Sequence, residues 1–198
     1  EETFVSEIGI GIVGGGYMGK AHAVAMAAVG VVFETSLRPV LEVVSASSLD
    51  SAERYRNVYG FARAATDWRD LVDDPRVEAV IIASPQTTHL EIARRAFGLG
   101  KPVFCEKPLG ASLAESTEMV ALAASSKQAN MVGFNYIRTP ASQYIAKLLR
   151  EGVIGDIIWF RGEHTEDFLG NRNTPASWRT SGDANGTRLA SVYGGFPV

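Results

Sequence analysis

A glycine-rich turn near the start of the chain limits its possible folds more than any other feature. Residues 8–19 read IGIGIVGGGYMG, in which an apolar run leads into glycines at positions 14, 16 and 19. The spacing GxGxxG allows a tight turn, a close approach of the backbone to a phosphate, and packing of the next helix against the strand. The pattern predicts that Gly14, Gly16 and Gly19 hold the pyrophosphate of a dinucleotide at a helix N-terminus.

The segments after this turn favour a dinucleotide site over an ordinary glycine-rich loop. Alanines predict a helix over 20–29, and a second strand is expected over 41–46. Further strands are predicted at 77–83, 101–105 and 131–134, and further helices at 51–59, 67–72, 90–99 and 112–127. Because strands and helices alternate throughout, we expect an α/β domain with a doubly wound parallel sheet over residues 1–136.

The end of the second predicted strand bears on the choice of cofactor. Ser48 stands where a dinucleotide fold usually places an acidic residue that binds the ribose. A carboxylate there would bind the 2′-hydroxyl of NAD and repel the 2′-phosphate of NADP, whereas serine does neither strongly. Asp50 either replaces that acid or caps the following helix. NAD and NADP therefore both stay open.

Polar residues follow the strand predicted at 77–83. Its sequence, VEAVIIA, is typical of a strand buried on both faces of a parallel sheet. Ser84 and Pro85 end this strand, and His89 leads into the next helix. Ligands of doubly wound sheets bind beyond the carboxyl ends of the strands, so we expect this stretch to face the cofactor. His89 is equally compatible with a helix start that has no chemical role.

The composition argues against several classes of partner. A formal net charge of -3 gives no reason to expect nucleic acid or an anionic membrane surface. No apolar run reaches the length of a membrane-spanning helix, and the N-terminus does not resemble a secretory signal. The single cysteine, Cys105, can form no internal disulfide, which agrees with a cytoplasmic location. The three histidines are too scattered to predict a metal site.

A second region is predicted over residues 137–198. A helix is expected over 142–151, and residues 157–164 alternate like a strand with one face toward solvent or ligand. The following segment is polar and contains Trp178 and Arg179. This region reads as the incomplete start of a second domain, whose open sheet edge and apolar surface predict a homo-oligomer.

Four segments carry a resemblance to a known family. They are GGGYMG, VEAVIIASPQTTH, CEKPLG and VGFNY, in this order. With them the chain resembles the Gfo/Idh/MocA family of NAD(P)-dependent oxidoreductases, which includes glucose-fructose oxidoreductase and inositol 2-dehydrogenase. The resemblance implies a Rossmann domain followed by an α/β domain that carries subunit contacts. It also implies hydride transfer between NAD(P) and a hydroxyl of a sugar, inositol or related polyol.

The resemblance also implies roles for individual residues. The pyrophosphate would be held by Gly14, Gly16, Tyr17, Met18 and Gly19. The cofactor cleft would be lined by Ser84, Pro85 and His89, with Glu106 and Lys107 beside the nicotinamide and the substrate. Further substrate contacts would come from Tyr136, His164, Trp178 and Arg179.

Lys107 is the predicted catalytic residue. When a hydride leaves a carbinol carbon, the hydroxyl proton must leave too, so a cation or base has to stand within hydrogen-bond reach of that oxygen. A lysine ammonium can stabilise the developing oxyanion. Without the resemblance, Glu106 and Lys107 would read as surface residues before a proline turn.

The sequence departs from the family after the tryptophan-arginine pair. Relatives carry an aspartate and, four residues later, a histidine that accepts the proton, but Ala190 and Gly194 stand at the aligned positions. A changed reading frame after about residue 186, a fragment and a genuinely short protein would each explain this, and we expect one of the first two. The alternative function is a dinucleotide-binding protein or an inactive remnant.

Overall fold

Six parallel strands form a single sheet in the computed structural model, which describes residues 6–163 and 165. The strands are β1 (Ser6–Val13), β2 (Leu37–Ser45), β3 (Arg63–Ala65), β4 (Ala79–Ile82), β5 (Val103–Cys105) and β6 (Asn130–Val132). Their order across the sheet is β3-β2-β1-β4-β5-β6, and every neighbouring pair is parallel. The predicted doubly wound α/β fold is therefore confirmed.

Helices connect the strands and cover the sheet. They are α1 (Tyr17–Val32), α2 (Leu49–Tyr59), α3 (Trp68–Asp73), α4 (His89–Gly98), α5 (Leu113–Ser125) and α6 (Pro140–Arg150), with short 3-10 turns at Gln86–Thr88 and Asn135–Arg138. Side-chain caps define several helix starts. Asp67 accepts a hydrogen bond from the Arg69 N–H at 2.8 Å, and Ser112 accepts one from the Glu115 N–H at 3.2 Å.

Hydrophobic clusters lie on both faces of the sheet. Because successive strand residues point to opposite faces, Ile81 and Ile82 of β4 join different clusters. Leu71 of α3 and Ile92 of α4 are fully buried against one face, and Ala23 of α1 is buried against the other. Full burial of one such large aliphatic side chain contributes roughly 1.5–3 kcal/mol. Because all six strands are parallel, their carboxyl ends lie along one edge of the sheet.

Two strands, β2 and β3, differ from the predictions by more than two residues at an end. β3 was not predicted, because its three residues, RAA, contain no apolar run. β2 begins at Leu37 rather than at residue 41 and includes Pro39. β3 pairs only with residues 43–45 of β2, so Pro39 has no neighbouring strand on that side and its missing N–H is tolerated there.

The strand predicted over residues 157–164 is wrong for the part that the structure describes. Residues 157–163 are exposed and pair with none of the six strands. A strand is stabilised by its hydrogen-bonded partner, and no described segment supplies one here. His164 lies outside the described residues.

Candidate cofactor and active site

The glycine turn lies between the carboxyl ends of β1, β2 and β4. Gly14 has φ of 95°, and its N–H donates to the Ser45 carbonyl at the end of β2 at 2.9 Å. A Cβ added at Gly14 would lie 2.6 Å from the Ala83 carbonyl oxygen after β4. Both the backbone conformation and the close approach therefore require glycine at this position.

The two other motif glycines serve different purposes. A Cβ on Gly19 would overlap the Gly14 carbonyl, so glycine is needed for α1 to pack against the turn. A Cβ on Gly16 would meet nothing within 4 Å, which leaves the space above this residue open. Gly16 caps α1 without a side chain, and the first turn carries no acidic residue. The N–H groups at the start of α1 therefore face an open site that suits an anion.

The next two predicted contacts begin α1. Tyr17 is 84% exposed, and Met18 is half-buried. Both therefore stand at the mouth of the open site rather than in the core. Their predicted contact with a pyrophosphate stays a prediction.

Tyr55 and Tyr59 of α2 contact the glycine turn at Gly15, and neither was predicted as a site residue. A Cβ on Gly15 would overlap the Tyr55 ring, and the Tyr59 hydroxyl donates to the Gly15 carbonyl at 3.1 Å. The Tyr55 and Tyr59 rings stack with centroids 5.5 Å apart. Burial raises the pKa of Tyr59, with the Tyr55 hydroxyl adding to the effect, so the Tyr59 hydroxyl stays a donor at neutral pH. The sequence signal that could have indicated this pair is the spacing of two aromatic residues four positions apart in a helix.

The segment after β4 stands at the switch point of the sheet. The Ala83 N–H donates to the Val13 carbonyl at 2.8 Å, which joins this segment to the end of β1. The Ser84 and Thr88 hydroxyls lie 2.7 Å apart, and Pro85 is exposed. Chain connections leave in opposite directions from β1 and β4, and ligands of such sheets bind in the crevice between them.

His89 lies inside the protein and not in the open cleft. The residue is only 1% exposed; Nε2 lies 2.9 Å from the Ser84 carbonyl and Nδ1 lies 3.2 Å from the Leu109 carbonyl. Burial lowers the pKa of His89, and the Ser84 and Leu109 carbonyls oppose this effect. The two ring nitrogens face the backbone of the loops after β4 and β5, and the expected contact of His89 with a cofactor stays a prediction.

Glu106 is a buried carboxylate at the end of β5. Its Oε1 lies 2.7 Å from His22 Nε2, and its Oε2 accepts from the Lys107 N–H at 3.3 Å. A Cβ on Gly133 would lie 2.9 Å from Oε1, so glycine after β6 makes room for this carboxylate. His22, on α1, was not predicted as a site residue. The contact joins positions 84 residues apart, a separation that no local pattern reveals.

Lys107 follows directly and is half-buried, with a cis peptide bond to Pro108. Its ammonium forms no ion pair with the described residues, so its charge is not neutralised by a neighbouring carboxylate. Cys105, next to this pair, is buried, and burial raises the pKa of its thiol to about 12, with the Glu106 carboxylate adding to the rise. The thiol is therefore no nucleophile.

Ser48 is exposed and caps α2, its hydroxyl accepting from the Ser51 N–H at 3.3 Å. Asp50 does not cap α2 but lies in its first turn. Tyr136 is 66% exposed in the 3-10 turn after β6. The predicted substrate residues His164, Trp178 and Arg179 lie outside the described residues. Among residues 6–163 and 165, no cluster of metal-binding side chains occurs, and no helix is long and apolar enough to cross a membrane.

The parallel sheet and the glycine turn at its switch point define a dinucleotide-binding domain of the Rossmann type. Residues 8–134 match the family described as an oxidoreductase family with an NAD-binding Rossmann fold. The chain belongs to this Gfo/Idh/MocA family. The predicted family and the predicted dinucleotide cofactor are thereby confirmed.

Individual relatives agree with this assignment. Levoglucosan dehydrogenase of Pseudarthrobacter phenanthrenivorans is 39% identical over 176 residues, which cover 88% of this chain and 45% of that protein. Inositol 2-dehydrogenase of Gluconacetobacter diazotrophicus is 30% identical over 174 residues, covering 82% of this chain and 47% of that protein.

A solved structure of levoglucosan dehydrogenase in complex with NADH and levoglucosan superimposes with a TM-score of 0.89 at 37% identity. The match covers 94% of this chain and 50% of that one. The chain thus spans about half the length of the relatives that it matches.

Proposed function

We propose that the chain is an NAD(P)-dependent dehydrogenase that transfers a hydride between the nicotinamide and a hydroxyl of a sugar, inositol or related polyol. One observation carries this proposal: the glycine turn after β1 and the Glu106–Lys107 pair after β5 lie at the same edge of the sheet. Two relatives, a levoglucosan dehydrogenase and an inositol 2-dehydrogenase, support the substrate class.

The residues around the turn fit a dinucleotide. The space above Gly16 is open, whereas a side chain at Gly14 or Gly19 would overlap neighbouring backbone atoms. The free N–H groups at Gly16, Tyr17 and Met18 would bind the pyrophosphate, and Ser84 and Pro85 would border the cleft. When bound, the nicotinamide accepts or supplies the hydride. Ser48 would lie at the adenosine ribose.

Lys107 would act on the substrate oxygen. Its ammonium donates a hydrogen bond to the hydroxyl and stabilises the negative charge that develops as the proton leaves. Glu106 would position this lysine, because its carboxylate is fixed by His22 on one oxygen and binds the Lys107 N–H with the other. Tyr136, His164, Trp178 and Arg179 would contact the substrate.

We propose the same domain division that the sequence predicts, residues 1–136 and 137–198. The support is that β6 ends at Val132 and that α6 buries none of its residues against the sheet.

The exposed apolar residues that follow support a homo-oligomer. A cytoplasmic location is supported by the single cysteine, which is buried at the end of β5.

The test combines binding and turnover. The chain is titrated with NADH and NADPH by fluorescence, then assayed for polyol-dependent NAD(P) reduction with levoglucosan and inositol. The variant Lys107→Met is compared with Lys127→Met, which removes an exposed lysine at the opposite edge of the sheet. We expect Lys107→Met to lower kcat by about 100-fold or more and to leave NADH affinity within a few-fold.

Other outcomes point elsewhere. Saturable NADH binding without turnover would favour the alternative, a dinucleotide-binding protein, and would fit the Ala190 and Gly194 substitutions. Unchanged turnover in Lys107→Met would contradict the role given to Lys107.

A further inference from the structure

The carboxylate of Glu106 is buried, and its two oxygens face different parts of the chain. Oε1 lies 2.7 Å from His22 Nε2, and Oε2 accepts a hydrogen bond from the Lys107 N–H at 3.3 Å. An ionised carboxylate only accepts, so Nε2 of His22 carries the hydrogen and donates it. Among the described residues, no lysine or arginine side chain forms an ion pair with Glu106. Because a buried carboxylate without a partner is costly, the His22 contact is what keeps this one in place.

The chain leaves the sheet between Glu106 and Lys107. The Glu106 N–H donates to the Ile82 carbonyl of β4 at 2.9 Å. The next N–H, that of Lys107, donates to Glu106 Oε2 rather than to a neighbouring strand, and Pro108 has no N–H to donate. The Glu106 carboxylate therefore holds the backbone from which the Lys107 side chain starts.

The position of His22 is itself fixed from two sides. The residue belongs to α1, five residues after Tyr17, which places it about 7.5 Å along the helix from its start. Its ring meets the Phe104 ring of β5 edge to face, with centroids 4.8 Å apart and an angle of 66° between the ring planes. The His22 side chain is 14% exposed. A ring confined by its helix and by an aromatic neighbour has little freedom to turn Nε2 away from Glu106.

Helix α1 thus reaches both parts of the proposed site. Its first turn, which follows Gly16, faces the open space beside the glycine turn, and His22 in its second turn contacts Glu106. One rigid helix therefore relates the proposed pyrophosphate site to the backbone of Lys107. Such a relation matters for chemistry, because a misplacement of about 1 Å can lower a rate about 100-fold.

We propose that His22 is a positioning residue for the hydride transfer: through Glu106 it fixes the backbone of Lys107. This role rests on the proposed function, because the placement of Lys107 affects turnover only if its ammonium meets the substrate oxygen. The ring supplies a hydrogen-bond donor to a buried anion and transfers no proton to the substrate.

The experiment changes the reach of the side chain at position 22. His22→Gln places an amide N–H close to the position of Nε2, whereas His22→Asn is one methylene shorter and cannot reach Glu106 Oε1. His22→Leu fills the space without a donor and is a second removal variant, in case the first does not fold. Glu78→Leu is the control, because it removes a side-chain hydrogen bond of similar length, 2.8 Å to the Gly9 N–H, at a position before β4 begins.

The first measurement does not depend on activity. In the ¹⁵N-labelled full chain without cofactor or substrate, NMR follows the chemical shift and the hydrogen-exchange rate of the Lys107 amide. We expect the amide to shift and its exchange to become about tenfold faster or more in His22→Asn and His22→Leu. In His22→Gln and in Glu78→Leu, the exchange rate should stay within a few-fold of the parent.

The second measurement compares kcat, the KM for levoglucosan or inositol, and the affinity for NADH. We expect kcat to fall about tenfold or more in His22→Asn and His22→Leu and to recover in His22→Gln, because only glutamine restores the donor. NADH affinity should stay within a few-fold in every variant, and the control should keep the parent kcat.

Three results would count against these roles. A Lys107 amide that keeps its shift and exchange rate in both removal variants overturns the inference and leaves the proposed function standing. A fall in kcat that Glu78→Leu shows equally also overturns it, since the fall then follows general stability. A parent that binds NADH without turnover contradicts the proposed function, and the Lys107 amide still decides whether His22 holds this residue.

Discussion

Gly14 combines two constraints in one residue. Its positive φ disfavours any side chain, and the Ala83 carbonyl and Ser84 N–H occupy the space where a Cβ would stand. Gly60, at the end of α2, shares a positive φ of 82°, but a Cβ there would meet nothing within 4 Å. A comparison of substitutions at the two positions therefore separates the cost of backbone strain from the cost of steric overlap.

We expect Gly14→Ala to destabilise the chain by about 2–4 kcal/mol and Gly60→Ala by about 1 kcal/mol, because only the first adds overlap to strain. Urea unfolding measures both. Only Gly14→Ala should also weaken NADH binding, since overlap displaces the turn from the end of β4. Equal losses of stability in the two variants would argue against this account.

His89 makes stability depend on pH. Burial lowers the pKa of His89 below its ordinary value of 6.5, so the unfolded chain binds this proton more readily than the folded chain. The free energy of unfolding therefore decreases as pH falls below 6.5, and this decrease ends once the pH lies below the pKa of the folded state. The Arg95 guanidinium lowers the pKa of Asp73 below 3.8, so protonation of that carboxylate affects stability only at a more acidic pH than protonation of His89 does.

Urea unfolding between about pH 7 and pH 5 measures this dependence. We expect His89→Gln, which keeps an amide able to hydrogen-bond but does not titrate, to show a smaller loss of stability than the parent over this range. A loss of the same size in both chains would show that other groups cause it.

At the scale of elements, α2 acts as a support for the glycine turn. Tyr59 reaches the Gly15 carbonyl, and Tyr55 packs beneath Gly15. We expect Tyr59→Phe to cost about 0.5–1.5 kcal/mol and to weaken NADH binding a few-fold, because the ring stack remains while the hydrogen bond is lost. Tyr144→Phe, which removes an exposed hydroxyl on α6, is the control and should change neither quantity. Unfolding curves and NADH titrations test both variants.

Elements with a strong local signal could be predicted from sequence, and those defined by distant contacts could not. The apolar run at β4 and the glycine turn before α1 carry their own patterns. The short β3 exists because it pairs with β2, and the His22–Glu106 contact exists because the fold brings α1 beside β5. Ser48 and not Asp50 caps α2. Serine and aspartate cap equally well, so the sequence does not fix the residue at which the helix begins.

At the scale of the whole molecule, and among the residues that the structure describes, exposed apolar side chains are concentrated between residues 131 and 160. Ile145 and Leu149 of α6 are exposed, as are Ile158 and Trp159 in the segment that follows. In the Rossmann domain, comparable residues such as Ile82 and Ile92 are fully buried. Exposed apolar groups so close together are typical of a surface that another protein surface covers, which is why we propose a homo-oligomer.

Sedimentation velocity tests this assembly. Ile158 is 97% exposed, so Ile158→Asp places a charge on the proposed interface at no cost to the core. We expect this substitution to shift the distribution toward smaller species. Val31→Asp, at an 89% exposed position on α1, introduces the same charge far from that surface and should leave the distribution unchanged. Because a charge in a desolvated interface costs several kcal/mol, a chain that sediments identically in all three forms would mean that residue 158 lies outside any subunit contact.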